Sequence, residues 1–151
     1  MTPPPGRALT RDADLAALLA ATRRVAVLGI KTEAQADQPA YYVAAAIAAL
    51  GAEVVPVPVY YPECTQILGR PVFRTVAAVT PRVDLVDVFR RPSDLDAHFD
   101  DLAAARPKAV WLQSGIVNVA FCDRLHALGI DTVSDRCLMV EWRRLGGVAA
   151  R

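Results

Sequence analysis

The sequence predicts one α/β domain, a single Rossmann-like three-layer α/β/α sandwich with a five-stranded, mainly parallel sheet. Three observations predict it. Short apolar runs of strand length, such as Val25-Ala26-Val27-Leu28 and Val83 to Phe89, alternate with segments of helical period. The strand-like runs are continuous rather than alternating, which suits strands covered on both faces. The chain has 151 residues, the size of one domain, and can bury a core without a disulfide or metal.

The elements follow in order. Residues 1–11 carry Pro3-Pro4-Pro5-Gly6 and read as a mobile tail, leaving 12–151 as the domain. Leu15, Leu18 and Leu19 have helical spacing after Thr10, a candidate N-cap. Arg24 to Gly29 is the first strand, and Ile30 to Gln38 a polar loop. Pro39 suits a first helical position, Val43, Ile47 and Leu50 share a face, and Gly51 closes that helix. Glu53 to Val59 is the second strand, expected to end near Pro56 and Pro58, which lack ladder donors. Tyr60 to Pro81 is irregular, with one short helix expected over Thr75 to Thr80. Val83 to Phe89 is the third strand, and Ser93 or Asp94 can cap a helix running to about Ala105. Ala109 to Gln113 is a strand, Val117 to Leu128 a helix stopped by Gly129, and Ile130 to Ser134 the last strand. Leu138 to Arg144 closes the chain as a helix with basic residues at its C-terminal end. Right-handed crossovers favour a half-Rossmann strand order.

Composition narrows the function classes. With 17 basic and 16 acidic residues the net charge is +1, so neither a nucleic acid nor a membrane is an expected partner. No apolar stretch reaches the ~18 residues of a membrane span, and the first eleven residues hold no signal-like run. Cys64, Cys122 and Cys137 form no C-x-x-C pair, and their odd count suits a reducing compartment, so a cytoplasmic location is expected. Cys64 and Cys122 read as packing residues.

Arg90 and Arg91 follow the strand Val86 to Phe89, and Asp135-Arg136-Cys137 follows the last strand. Ligands bind at that edge of an open parallel sheet, and guanidinium groups there suit phosphate. A dinucleotide fingerprint fails twice. The turn after the first strand, Gly29-Ile30-Lys31-Thr32-Glu33-Ala34, has one glycine, and the second strand ends in Pro58-Val59-Tyr60-Tyr61 without an acid. No Walker loop is present either. What remains is a turn of Gly29, Ile30, Lys31 and Thr32 ahead of a helix N-terminus, which attracts a diphosphate. Pro56, Val57, Pro58 and Tyr60 offer a wall for a flat base.

Several blocks carry a resemblance: Val25 to Ile30, Gln38 to Val43, Val54 to Val57, Val83 to Pro92, Ala109 to Ile116, and Asp135 to Met139. Together they resemble the CoA-binding domain family, stand-alone relatives of the nucleotide-binding domain of the succinyl-CoA synthetase alpha subunit. The likeness runs from about Leu15 to Leu145. It implies a Rossmann-like fold that binds coenzyme A. Carried over, Gly29, Ile30, Lys31 and Thr32 would hold the diphosphate, and Pro56, Val57 and Pro58 would flank the adenine. Tyr42 would line the same cleft. Phe89, Arg90 and Arg91, with Gln113, Ser114 and Gly115, would form the rim facing the pantetheine arm. The synthetase's phosphohistidine domain has no counterpart, so acyl-CoA ligation is not implied.

Each of these residues has a plainer reading. Arg90 and Arg91 can pair with Asp84, Asp87 or Asp94. Asp135 can cap the last helix, and Cys137 in its first turn is either buried or, as a stabilised thiolate, able to meet the CoA thiol. His98 and His126 read as surface or core residues without metal partners. Because no nucleophile, base and orienter recur together, the expectation is a non-catalytic CoA or acyl-CoA binding or sensing module. The alternative is an NAD(P)-linked oxidoreductase or a CoA-thiol redox protein using Cys137. A structural subunit is the third reading, with Trp111 and Trp142 either in the core or on a face meeting a second copy or another protein.

Overall fold

A computed structural model describes residues 3–146. The elements are α1 (Asp12–Ala20), β1 (Arg24–Leu28), α2 (Pro39–Ala49), β2 (Glu53–Val57), β3 (Gln66–Ile67), β4 (Arg70–Pro71), β5 (Leu85–Val88), α3 (Phe99–Ala105), β6 (Ala109–Leu112), α4 (Val119–His126), β7 (Asp131–Val133) and α5 (Leu138–Leu145). Two 3-10 turns add to them, Glu33–Gln35 and Pro92–His98.

The main sheet has five strands in the order β2-β1-β5-β6-β7, every pair parallel. Counting these five alone, the order is 2-1-3-4-5, not the 3-2-1 half of the dinucleotide fold. The rest of the expected α/β/α sandwich is present. One face of the sheet packs under α1, α2 and α5 through Leu15, Leu19, Val43, Ile47, Leu138 and Trp142. The other packs under α3, α4 and the preceding 3-10 turn through Leu95, Leu102, Phe121 and Leu125. Trp111 and Trp142 are both 0% exposed, so neither offers a face to another chain.

Local chemistry explains the boundaries. Pro39 opens α2 where its missing N–H costs nothing. Asn118 caps α4 by accepting from Phe121 N at 3.1 Å, so that helix begins later than Val117. The helix expected from Ser93 is instead a 3-10 turn with Pro92 in its first turn, followed by the short α3. α1 is capped at Arg11, not Thr10, and makes no side-chain cap bond there. β2 runs through Pro56 to Val57, because an edge strand tolerates a residue without a donor.

Two further expectations do not hold. No helix forms over 75–80. Val76 N and Ala77 N donate to the Asp101 carboxylate of α3 at 2.9 and 2.8 Å, which pins that segment as a bend. The N-terminal residues are not a free tail where they are described. Gly6 N donates to His126 O at 2.7 Å, Ala8 bridges Thr132 in parallel, and Leu9 N donates to Thr132 O at 2.8 Å. Arg7 grips Asp14 with both terminal guanidinium nitrogens at 3.0 and 3.1 Å, and Leu9 is 5% exposed in the core. Proline-rich composition suggested mobility, but one buried leucine and a free strand edge anchor the segment. Leu9→Ala is expected to destabilise the protein by about 2–3 kcal/mol. Urea unfolding measures it; a change of a few tenths of a kcal/mol would return this segment to a tail.

Candidate functional site

The strand order creates one topological switch. From β1 the chain crosses to β2 on one side, and from β5 it crosses to β6 on the other, so a crevice opens above their C-terminal ends. The residues just past those ends are Gly29 and Ile30 on one bank, and Phe89, Arg90 and Arg91 on the other.

Gly29 shapes the floor. Its φ is +87°, and its N–H donates to Val57 O at 2.9 Å. A Cβ built on it would lie 2.4 Å from Phe89 O and 3.2 Å from Arg90 Cδ. Only glycine lets the two strand ends approach so closely. Ile30, 0% exposed, points into the core behind the turn.

Above this floor lies a cleft with two lobes that share Lys31, Ala40, Phe89, Arg90 and Arg91. The inner lobe, about 220 Å³, is completed by Gly29, Tyr60 and Tyr61. The outer lobe, about 390 Å³, is completed by Gln38, Pro39, Pro92 and Ile116. One lobe is therefore cationic and aromatic, and the other leads onto proline and aliphatic surface. Ala40 is the second residue of α2, so both lobes abut that helix's N-terminal end.

Arg90 is held from several sides. Its side chain is only 14% exposed. The Nε donates to His98 Nε2 at 3.2 Å, a terminal nitrogen lies 3.5 Å from Asp94, and the guanidinium carbon stands 5.4 Å from the Tyr60 ring centroid. Arg90 beside the Tyr60 phenol draws that group below its ordinary titration range. Arg91 is open to solvent and donates to Asp94 at 2.9 Å. Arg91 and then Arg90 hold the Asp94 carboxyl below the usual range. Of the three acids expected to pair with the arginines, only Asp94 does so. Asp84 accepts from Arg23 N and Arg24 N, and Asp87 is buried without a partner.

The turn carries fewer free amides than its sequence suggests. Lys31 N donates to Ala40 O at 3.0 Å, and Thr32 N to Gln35 Oε1 at 3.2 Å. Thr32 spends its hydroxyl in a capping box on the 3-10 turn at 33–35. The cation Lys31, rather than a row of N–H groups, faces the cleft. The anticipated wall for a base also moves. Val57 is buried and Pro56 faces a separate hollow beside Arg70 and Phe73; of the anticipated wall Tyr60 bounds the cleft, joined by Tyr61. Neither Pro58 nor Tyr42 is among the lining residues of either lobe; Tyr42 is 40% exposed.

The rim after β6 is tied down internally. Gln113 is 4% exposed, and its Oε1 accepts from Leu138 N at 2.9 Å, capping α5. Gly115 N donates to Asp135 Oδ1 at 2.7 Å, which keeps Asp135 off the helix it was expected to cap. Cys137 takes the N-cap place and makes no side-chain cap bond. Arg136 O accepts from Trp111 Nε1 at 2.8 Å. The Gln113-Ser114-Gly115 and Asp135-Arg136-Cys137 blocks thus lock two loops together, and Ile116 alone from this region reaches the cleft. His126 shares a hydrogen bond with Thr132 at 2.8 Å, a packing role. His98, read from the sequence as a surface or core residue, meets Arg90, a contact that nothing in their spacing announces.

Among the described residues no group of three His, Cys, Asp or Glu side chains could hold a metal ion, and no helix is long and apolar enough to cross a membrane.

Comparison with known proteins agrees with this architecture. The family described as a CoA binding domain matches residues 23–143. The uncharacterized protein YneT of Bacillus subtilis is 26% identical over 128 residues, covering 85% of this chain and 91% of its own. The Thermus thermophilus protein cell-free ID.343 is 38% identical with a TM-score of 0.82, over 90% of this chain and 99% of that one. An acetyl-coenzyme A synthetase from Ca. Korarchaeum cryptofilum shares the fold at 16% identity and a TM-score of 0.66, with 79% of this chain matching 26% of that one.

Proposed function

Because the chain belongs to the CoA-binding domain family, we propose that it binds coenzyme A in the cleft between β1 and β5, as a module without chemistry of its own. The observation that carries this reading is the glycine floor at Gly29, where a Cβ would collide with Phe89 O, set beside Lys31, Arg90 and Arg91. Strand ends drawn this close put Lys31, Arg90 and Arg91 around one cleft, and three cations there suit a diphosphate. Tyr60 and Tyr61 can flank a flat base in the inner lobe, and Pro39, Pro92 and Ile116 suit an aliphatic arm in the outer one. Bound there, coenzyme A would supply a thiol that can carry an acyl group.

The residues lining the two lobes include no Ser, Cys, His, Asp or Glu. That set favours holding a ligand over transforming it. Calorimetric titration with CoA is expected to show saturable binding, and a hundredfold excess over Kd should raise the unfolding free energy by ~2.7 kcal/mol. Neither heat nor a rise in Tm at millimolar CoA would reject the reading. NADH run in parallel should leave both signals unchanged.

A further inference from the structure

We propose that His98 is the positioning residue for Arg90: its imidazole holds the guanidinium against the inner lobe, so that protonating His98 weakens anion binding there. The proposal builds on the coenzyme A reading and adds a pH-sensitive support to it.

The geometry fixes a protonation state. Arg90 Nε carries a hydrogen and can only donate. Its partner at 3.2 Å is His98 Nε2, which must therefore be the bare, accepting nitrogen, with the ring proton on Nδ1. Once both ring nitrogens carry hydrogens, this contact turns donor against donor and cation against cation. Arg90 then loses one of its tethers.

The surroundings favour the neutral ring. His98 ends the 3-10 turn from Pro92 and is followed directly by α3. Three charged groups face it: Arg90 after β5, Asp94 in the same 3-10 turn, and Asp101 on α3. Both acids would favour a charged ring, but each is committed elsewhere. Asp94 accepts from Arg91, and Asp101 accepts from Val76 N and Ala77 N. Burial first, and then Arg90, hold the imidazole below its ordinary range. It is thus neutral at neutral pH and charges only in acid.

Arg90 is the cation best placed for this coupling to reach a ligand. It lines both lobes and packs its Cδ against the Gly29 floor, whereas Arg91 stands largely in water. A partly buried guanidinium with fixed partners loses little freedom when it meets a phosphate. Removing one partner undoes that.

The test uses dephospho-CoA, whose diphosphate diester stays ionised throughout the range, whereas a phosphate monoester titrates near pH 6. Binding is measured at about pH 8 and about pH 5.5 for the parent protein, His98→Gln and His98→Leu. Gln offers an amide oxygen near the place of Nε2 and does not titrate. The expected results are parent-like affinity for His98→Gln at the higher pH and about fivefold weaker binding for His98→Leu. The parent should lose about fivefold more affinity on acidification than His98→Gln does. Parallel losses in parent and His98→Gln, with His98→Leu binding like the parent, would overturn the role of His98 while leaving coenzyme A binding intact. Absence of binding by the parent at the higher pH, to this ligand and to CoA, would remove both. Nitrogen NMR of the parent needs no ligand and no variant. It should show His98 as the Nδ1–H tautomer, and an Nε2–H signal would sink the proposal even if His98→Leu fails to fold.

Discussion

Gly29→Ala is expected to cost about 2–5 kcal/mol of stability and to weaken coenzyme A binding at least about tenfold. Two independent penalties act at this position. The φ of +87° lies in the left-handed region, where an L side chain is strained. Even with that strain accepted, the new methyl would sit 2.4 Å from Phe89 O, a backbone atom that cannot rotate away. Relief requires β1 and β5 to part at their C-terminal ends, which moves Phe89 and Arg90 together. The loss is therefore both structural and functional, and its two parts separate in measurement. Urea unfolding reads the first, and calorimetry at a temperature where the variant remains folded reads the second. A variant as stable as its parent would mean that the turn is not built as described.

The second large effect concerns Asp87. It lies in β5 between Val27 and Trp111 of the neighbouring strands, is 0% exposed, and neither carboxylate oxygen has a partner. Burial alone pushes its carboxyl well above the usual range. The folded protein thus keeps a proton that the unfolded chain releases above about pH 4. With more protons bound in the folded state, stability must fall as pH rises, by up to about 1.4 kcal/mol per pH unit, until the buried acid itself ionises. Asp87→Asn preserves the shape and removes the titration. It should gain on the parent as pH rises above about 4, through the range in which the folded acid keeps its proton. Unfolding midpoints of both proteins across that span measure the difference, and parallel curves would show that Asp87 does not hold the proton assigned to it.

The sequence carried the architecture well because strand burial leaves a simple mark. Val25 to Leu28 and Ala109 to Leu112 are continuous apolar runs, and Pro39 and Gly51 bracket α2 by their backbone chemistry alone. The irregular stretch after β2 was opaque for the converse reason. Its shape depends on the distant Asp101, and no local period records a contact 25 residues away. The candidate site was half legible. Gly29, Lys31, Phe89, Arg90 and Arg91 meet at the cleft as strand-end positions should. Thr32 and Gln113 did not, because their side chains cap a turn and a helix, a commitment visible only once Gln35 and Leu138 are placed in space. Tyr60 was read as part of a wall for a base but Tyr61 was not, although both bound the inner lobe past the end of β2 at Val57.

The outer margins of the sheet are both occupied. Beyond β7, Ala8 and Leu9 lie alongside Thr132. Beyond β2, Pro56 withholds a donor while its carbonyl accepts from Phe73 N at 2.9 Å. A strand from a second molecule would find neither border open for ladder pairing. Ladder pairing along either margin of the main sheet would first have to displace the N-terminal segment or the Phe73 contact.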